Sequence, residues 1–467
     1  MKSNGIVRIE SLTLKNFKNI KNCEVCFAEA KKLSRGILDE DDFSSVLGLY
    51  GQNGSGKTSC IEGLRILQFL LSGAPINKLF QDLINIDSTD ATIGATFYVK
   101  SKNKNYYVVY ECTISKKDNG IEISEEKLSY HLLDDGNKKI NIFSFKTPNE
   151  INGVFKDYLG VKNSDVYRMV ASLETKSNTN QASISSAIFN PKLLTFVNDL
   201  KGEEDAYNNI INELYYFAKL RFAIYQINYF NEIANVGIRI RVKDETNSSD
   251  PACSDIFVNF NQTIIKVEYF NLLKKTIDTI NSVLPAIIKD CRVELLDVVK
   301  TKQQLINIVD DVVNFRLVSK RNNKYIPLYY ESNGIKKIIS ILSGFIDAFN
   351  NEGTFIAIDE LDSGIFEYLL GELVYAFDNF AFGQLFFTSH NMRILEKIDP
   401  KNIYFSTIDS DDKFIQIASV RETNNLRNLY YKYIANGYKD KYKLYNNVKT
   451  ENIISALSKS FSGREND

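Results

Sequence analysis

Histidine is nearly missing from this sequence: 467 residues carry two, His131 and His390, and a histidine-built metal cluster is thereby excluded. Cysteine is scarce as well. Of Cys23, Cys26, Cys60, Cys112, Cys253 and Cys291, only the first two are close in sequence, with no second Cys or His pair nearby. That spacing argues against zinc and for free thiols in a reducing compartment. No apolar signal core opens the chain and no run reaches membrane-spanning length, so a cytoplasmic location and no membrane partner are expected. An excess of either charge is lacking too. Lys plus Arg number 57 against 58 Asp plus Glu, a net charge of -1, so any basic patch must be local and offset elsewhere.

What remains is an ordinary globular composition, 44% hydrophobic and 25% charged, long enough for two or three domains. Val7 to Phe27 alternates like strands, broken at Asn16-Phe17-Lys18. Ala28 to Phe43 reads as a charged hairpin insertion. Thr92 to Thr147 predicts an antiparallel sheet, with strands at Ile93–Val99, Tyr106–Ile114, Ile121–Leu132 and Ile140–Phe145. From Asn149 to Arg292 the pattern reads as mainly helical, with loops at Thr175–Ser186 and Asp244–Asp255 and no sustained heptads. Strand signals return at Val293–Val299 and Phe315–Leu328. Phe355–Ile358 and Gln384–Phe387 look like buried parallel strands. The expected domains are residues 1–148, an N-terminal lobe; 149–292, a mainly helical insertion; and 293–467, a C-terminal lobe.

Three motifs carry chemistry. Val46–Tyr50, a short apolar strand, runs into Gly51-Gln52-Asn53-Gly54-Ser55-Gly56-Lys57-Thr58 and then a helix with Ile61, Leu64, Leu67 and Leu71 on one face. This is the GxxxxGK[ST] spacing. Its glycines let backbone N–H groups turn inward around a phosphate, Lys57 reaches the β- and γ-phosphates, and the Thr58 hydroxyl ligates Mg²⁺. Asp359 and Glu360 follow a buried strand, where an acidic pair is costly unless it holds a metal or moves a proton. Asp359 is the candidate Mg²⁺ ligand and Glu360 the candidate general base. His390, in the Thr388-Ser389-His390-Asn391 stretch that follows Leu385–Phe387, is the candidate γ-phosphate sensor, although a histidine after a strand is more often a surface or capping residue.

Ser332-Asn333-Gly334 opens a helix. Taken alone it reads as a plain N-cap; before the acidic strand it can also close over a phosphate held by another subunit. Arg427 to Lys449 interleaves tyrosines with lysines. A nucleic-acid surface and a helix packing its tyrosines inward both fit that pattern, and the net charge favours the second.

Phosphate loop, serine–glycine helix start, acidic strand and histidine occur in the order that resembles the ABC-type ATPase heads of the SMC, RecF and OLD families. The opening "IESLTLKNFKNI" is similar to their first strands. The resemblance covers Ile6–Lys100 and Val313–Tyr445. Within it, "ESNGIKKI", "IDELDSGIFEYLLGEL" and "FFTSHNMRIL" are most similar to the compact ATPases of bacterial antiphage systems, the ATPase of the PARIS system foremost. It implies an α/β fold: an ABC-type P-loop ATPase head, a mixed sheet with an antiparallel β-subdomain, plus a mainly helical insertion.

The implied ligands are ATP and Mg²⁺. Asn53, Gly54, Ser55, Gly56, Lys57, Thr58 and Ser59 would hold the phosphates, and Thr58 and Asp359 the metal. Glu360 would be the base and His390 the switch, while Ser332, Gly334 and Lys336 would reach the nucleotide of a partner copy. Implied partners are a second copy, or a higher assembly such as a hexameric ring of dimers, an effector nuclease of TOPRIM type and a phage-encoded trigger. Departures are Glu331 and Asn333 in the signature, Ile365-Phe366-Glu367 in place of Leu-His-Pro, and no clear Q-loop residue beyond Gln181. A DNA-stimulated maintenance ATPase of RecF type and a nucleotide-locked assembly with negligible turnover stay open.

Overall fold

The computed structural model describes residues 5–27, 46–76, 82–117, 120–133, 138–146, 150–152, 184–190, 206–226, 236–244, 252–305, 308–408, 412–417, 426–436, 438, 442–445 and 450–462. The expected insertion at Ala28–Phe43, Gln181 and much of the segment 149–292 lie outside them.

Ile6–Phe17 (β1) turns at Lys18-Asn19 into Ile20–Cys26 (β2). The break in alternation seen in the sequence is this turn, with left-handed backbone at Asn16 and Lys18. Val46–Tyr50 (β3) enters the helix Lys57–Leu71 (α1). Asp90–Ser101 (β4), Lys104–Lys117 (β5), Gly120–Leu132 (β6), Ile140–Lys146 (β7) and Glu150–Asn152 (β8) complete an antiparallel sheet in the order β2-β1-β4-β5-β6-β7-β8. Its alternating burial along β5 is the period-two signal visible in the sequence.

Among the described residues of the middle segment, strands stand beside helices. Ala206–Tyr216 (α2) passes through one π-turn, Phe217–Arg221, into Phe222–Tyr225 (β9), an edge strand of the central sheet. Gly237–Asp244 (β10) and Ala252–Asn259 (β11) form a hairpin, and part of the expected loop at Asp244–Asp255 is thus strand. Thr263–Lys266 (β12) precedes the amphipathic helix Val267–Ile287 (α3). Strands of four residues inside helix-like text carry too few positions for periodicity to separate the two forms.

Arg292–Leu305 (β13), Ile308–Arg321 (β14) and Lys324–Pro327 (β15) join β12 in a small antiparallel sheet. Asn333–Asn350 (α4), Phe355–Ile358 (β16), Glu367–Phe380 (α5), Gln384–Ser389 (β17), Ile403–Ser406 (β18) and Phe414–Gln416 (β19) follow. Leu426–Asn436 (α6) and Thr450–Ser462 (α7) end the described chain.

The central sheet runs β19-β18-β3-β17-β16-β9, parallel from β18 to β9. Both faces are covered, which explains its unbroken apolar strands. Leu47, Leu49, Phe355, Ala357 and Phe386 face a core shared with α1 and the antiparallel sheet. Val46, Tyr50, Ile356, Ile358, Leu385 and Phe387 face a second core with α3, α4 and α5. The Gln384 carboxamide stitches the layers: it accepts from Ile9 N at 2.9 Å and donates to Ile9 O at 2.8 Å. The tail tyrosines divide, with Tyr430 and Tyr438 buried and Tyr431 exposed.

Candidate functional site

Parallel order sets the site. In a sheet of parallel strands the C-terminal ends share one edge, where irregular loops can hold a ligand. Tyr50 pairs with Ser389 and Phe387 with Ile358, so the loops after β3, β17 and β16 emerge side by side. A cleft of about 420 Å³ lies there, lined by Asn53, Gly54, Ser55, Gly56, Lys57, Thr58, Ser59, Glu360 and His390, with Lys18 and Asn19 at its wall.

Gly54 and Gly56 have φ of 75° and 97°, left-handed values that side chains resist. They curl the loop into α1, whose first turn carries no acidic residue, so its positive end is left for an anion. Lys57 is buried and its ammonium donates to Gly51 O and Gln52 O, each at 2.9 Å. Burial lowers its pKa, while Asp359, Glu360 and Asp362 oppose that shift. Asn19 was not singled out by sequence pattern. Its amide donates to Gly54 O at 2.7 Å and its carbonyl accepts from Ser59 Oγ at 3.3 Å, bracing the loop. The nearest sequence signal was the break in the strand pattern just before it.

Asp359 is fully buried. Its Oδ1 accepts from Thr388 Oγ1 at 2.6 Å and from Thr58 Oγ1 at 3.4 Å, while Oδ2 is buried with no partner. An orphaned carboxylate oxygen beside the phosphate-loop hydroxyl fits a hard cation such as Mg²⁺. Among the described residues no cluster of three or more His, Cys, Asp or Glu could hold a metal. Thr58, water and phosphate oxygens would therefore complete that coordination.

Glu360 stands at φ 44°, left-handed and rare for a residue with a side chain. Such a conformation costs on the order of 1–3 kcal/mol and persists only where the surroundings fix it. Here Thr388 Oγ1 accepts from Glu360 N at 2.7 Å, and Glu360 O accepts from Ser363 N at 2.9 Å and from the Lys337 ammonium. Partial burial raises the Glu360 pKa, helped by Asp359 and Asp362 and opposed by Lys337 and Lys57. His390 donates its backbone N–H to Asp362 Oδ2 at 3.1 Å. Burial of its ring and nearby Lys57 lower its pKa, which favours the neutral imidazole near pH 7.

Ser332, Gly334 and Lys336 do not line this cleft. Ser332 is the N-cap of α4 and accepts from Ile335 N at 3.4 Å; both Ser332 and Asn333 are exposed. Gly334 is turned inward, where a Cβ would lie 1.9 Å from Gly364 O. Lys336 is buried with its ammonium 4.8 Å from the Phe260 ring centroid and 5.8 Å from that of Tyr329. Phe366, in place of the histidine of Leu-His-Pro, is 72% exposed beside that helix start.

The model of a family described as "AAA domain, putative AbiEii toxin, Type IV TA system" matches residues 46–396, well over half of the chain. No curated protein matches it. Among solved structures, the SMC head domain from Thermotoga maritima is similar at 12% identity, covering 88% of this chain and 100% of that one with a TM-score of 0.36. The recombination mediator protein RecF with ATP is similar at 14% identity, 88% and 100% coverage and a TM-score of 0.38. An SMC head bound to the C-winged helix domain of ScpA gives 13%, 88%, 97% and 0.39. At such scores the likeness is loose, and the strand order and loop geometry above are what define a mixed α/β P-loop head. No helix among the described residues is long and apolar enough to cross a membrane.

Proposed function

The chain belongs to the AAA-domain family whose model it matches, and from that premise we propose that it binds ATP with Mg²⁺ in the cleft at the ends of β3, β17 and β16 and hydrolyses it. The observation that supports this most is the convergence of Lys57, Thr58, Glu360 and His390 on one cleft from segments more than 300 residues apart, with the buried Asp359 hydrogen-bonded to Thr58. The backbone of Asn53–Ser59 and the end of α1 bind the phosphates, and Lys57 balances charge on the β- and γ-groups. Thr58 and Asp359 would hold Mg²⁺, which would supply positive charge to neutralise the phosphates. Glu360, its carboxylate made more basic by burial, accepts a proton from the attacking water. His390, as a neutral ring, hydrogen-bonds that water or the γ-phosphate.

Ser332 and Gly334 lie outside their own cleft, and Ser332 is exposed on a helix start. In this reading a second copy applies them, with Lys336 behind them, to complete each site, so that ATP binding drives pairing of heads. We further propose that the chain is the sensor and scaffold of an antiphage system similar to PARIS, holding an effector nuclease until a phage protein releases it. The family's description as a putative toxin of a type IV toxin–antitoxin system supports action alongside a second component.

The deciding experiment is Glu360→Gln against wild type. Turnover should fall by roughly 100-fold or more, the scale of losing a general base, while ATP-dependent association persists. Equal turnover would remove Glu360 as the base. The RecF-type alternative predicts turnover that rises with DNA and falls with salt; turnover indifferent to DNA, with the nuclease co-purifying, favours the defence role.

A further inference from the structure

Lys337 is a buried ammonium that sequence pattern gave no reason to notice. It sits on α4, one turn after Gly334, and is 4% exposed. Its ammonium donates to the backbone oxygen of Glu360; burial lowers its pKa to about 8, and the charges of Asp362, Glu360 and Asp359 oppose that shift. A lone lysine in apolar surroundings would be costly to bury; here opposite charges and a carbonyl receive it.

The same stretch of α4 grips the loop after β16 a second time. Gly334 packs against Gly364 so closely that no Cβ fits between them, and Gly364 itself is left-handed at φ 76°. The loop Asp359–Ile365 is thus clamped at both ends by one helix: Lys337 at its start and Gly334 at its close. At the start, Glu360 holds the left-handed backbone that aims its side chain into the nucleotide cleft.

We propose that Lys337 is a positioning residue for hydrolysis. Its ammonium fixes the turn at Glu360 and, with Lys57, adds positive charge beside the three carboxylates, so the Glu360 carboxylate stands ready towards the γ-phosphate. It does not line the cleft and acts through the Glu360 backbone. Because Ser332 opens the same helix, the residue offered to the partner's nucleotide and the support of the chain's own base ride on one rigid element. This inference rests on the reading of Glu360 as the base.

The test measures kcat, KM, equilibrium ATP affinity and melting temperature for wild type, Lys337→Met, Lys337→Arg and Glu360→Gln. Lys337→Met is expected to lower kcat roughly 10- to 100-fold, the scale of a misplaced catalytic group. ATP affinity should stay within about twofold, because the phosphate loop is untouched. Lys337→Arg, which keeps the charge and donors, should recover most of the rate. Should Lys337→Met not fold, Lys337→Gln carries the same test with a neutral donor. Wild-type kcat in Lys337→Met, a parallel fall of kcat and affinity, or no recovery with arginine would each overturn the proposal. Full turnover in Glu360→Gln would instead sink the base assignment beneath it, so the two failures are told apart.

Discussion

Single residues around the cleft show how charge is managed where a polyanion is expected. Lys57 is lodged between two loop carbonyls, and its burial lowers its pKa against the opposing charges of Asp359, Glu360 and Asp362. Lys57→Ala removes both the charge and the ties that shape the loop. Hydrogen bonds to charged groups contribute about 1.5–3 kcal/mol each, so ATP affinity should fall roughly 10- to 100-fold or more. Titration of a fluorescent ATP analogue reads this directly, and unchanged affinity would contradict the loop assignment. The loop was legible in sequence because its residue types recur at fixed spacing, and the structure brings Glu360 and His390 to the same cleft. Asn19 and Lys337 were not. Their partners are backbone oxygens distant in sequence, Gly54 O and Glu360 O, and no local spacing encodes such a contact.

Among elements, legibility followed length and exposure. Strands β4 to β7 of the antiparallel sheet run for seven or more residues and were readable, β5 most clearly from its alternation. The four residues of β9 were not, although they close one edge of the central sheet and Tyr225 O accepts from Asp359 N at 2.8 Å. The joint between sheets rests on Gln384, fully inside at 1% exposure, whose carboxamide takes the place of a ladder neighbour for Ile9. Gln384→Leu would strand two buried backbone groups at about 1–3 kcal/mol each. Urea unfolding should show a loss of roughly 2–6 kcal/mol, with the midpoint shifted and the slope retained. A loss under about 0.5 kcal/mol, the range of a neutral surface change, would mean that water serves Ile9 equally well.

For the whole molecule, the proposed two-copy site makes a prediction that one copy cannot mimic. Ser332 is exposed and lies outside its own cleft. Ser332→Arg should therefore leave ATP binding to the single head intact while blocking ATP-driven association and turnover. Light scattering on Glu360→Gln with ATP should give the mass of at least two copies, and the Ser332→Arg, Glu360→Gln double variant the mass of one. Assembly of the double variant would place the serine away from the contact.

The left-handed backbone at residue 360 has a thermal consequence. A turn that three separate bonds hold against its own preference has no slack, so it should loosen as a unit and not by degrees. Warming is then expected to extinguish hydrolysis abruptly, below the temperature at which the sheets themselves come apart, with nucleotide still bound at the neighbouring glycine loop.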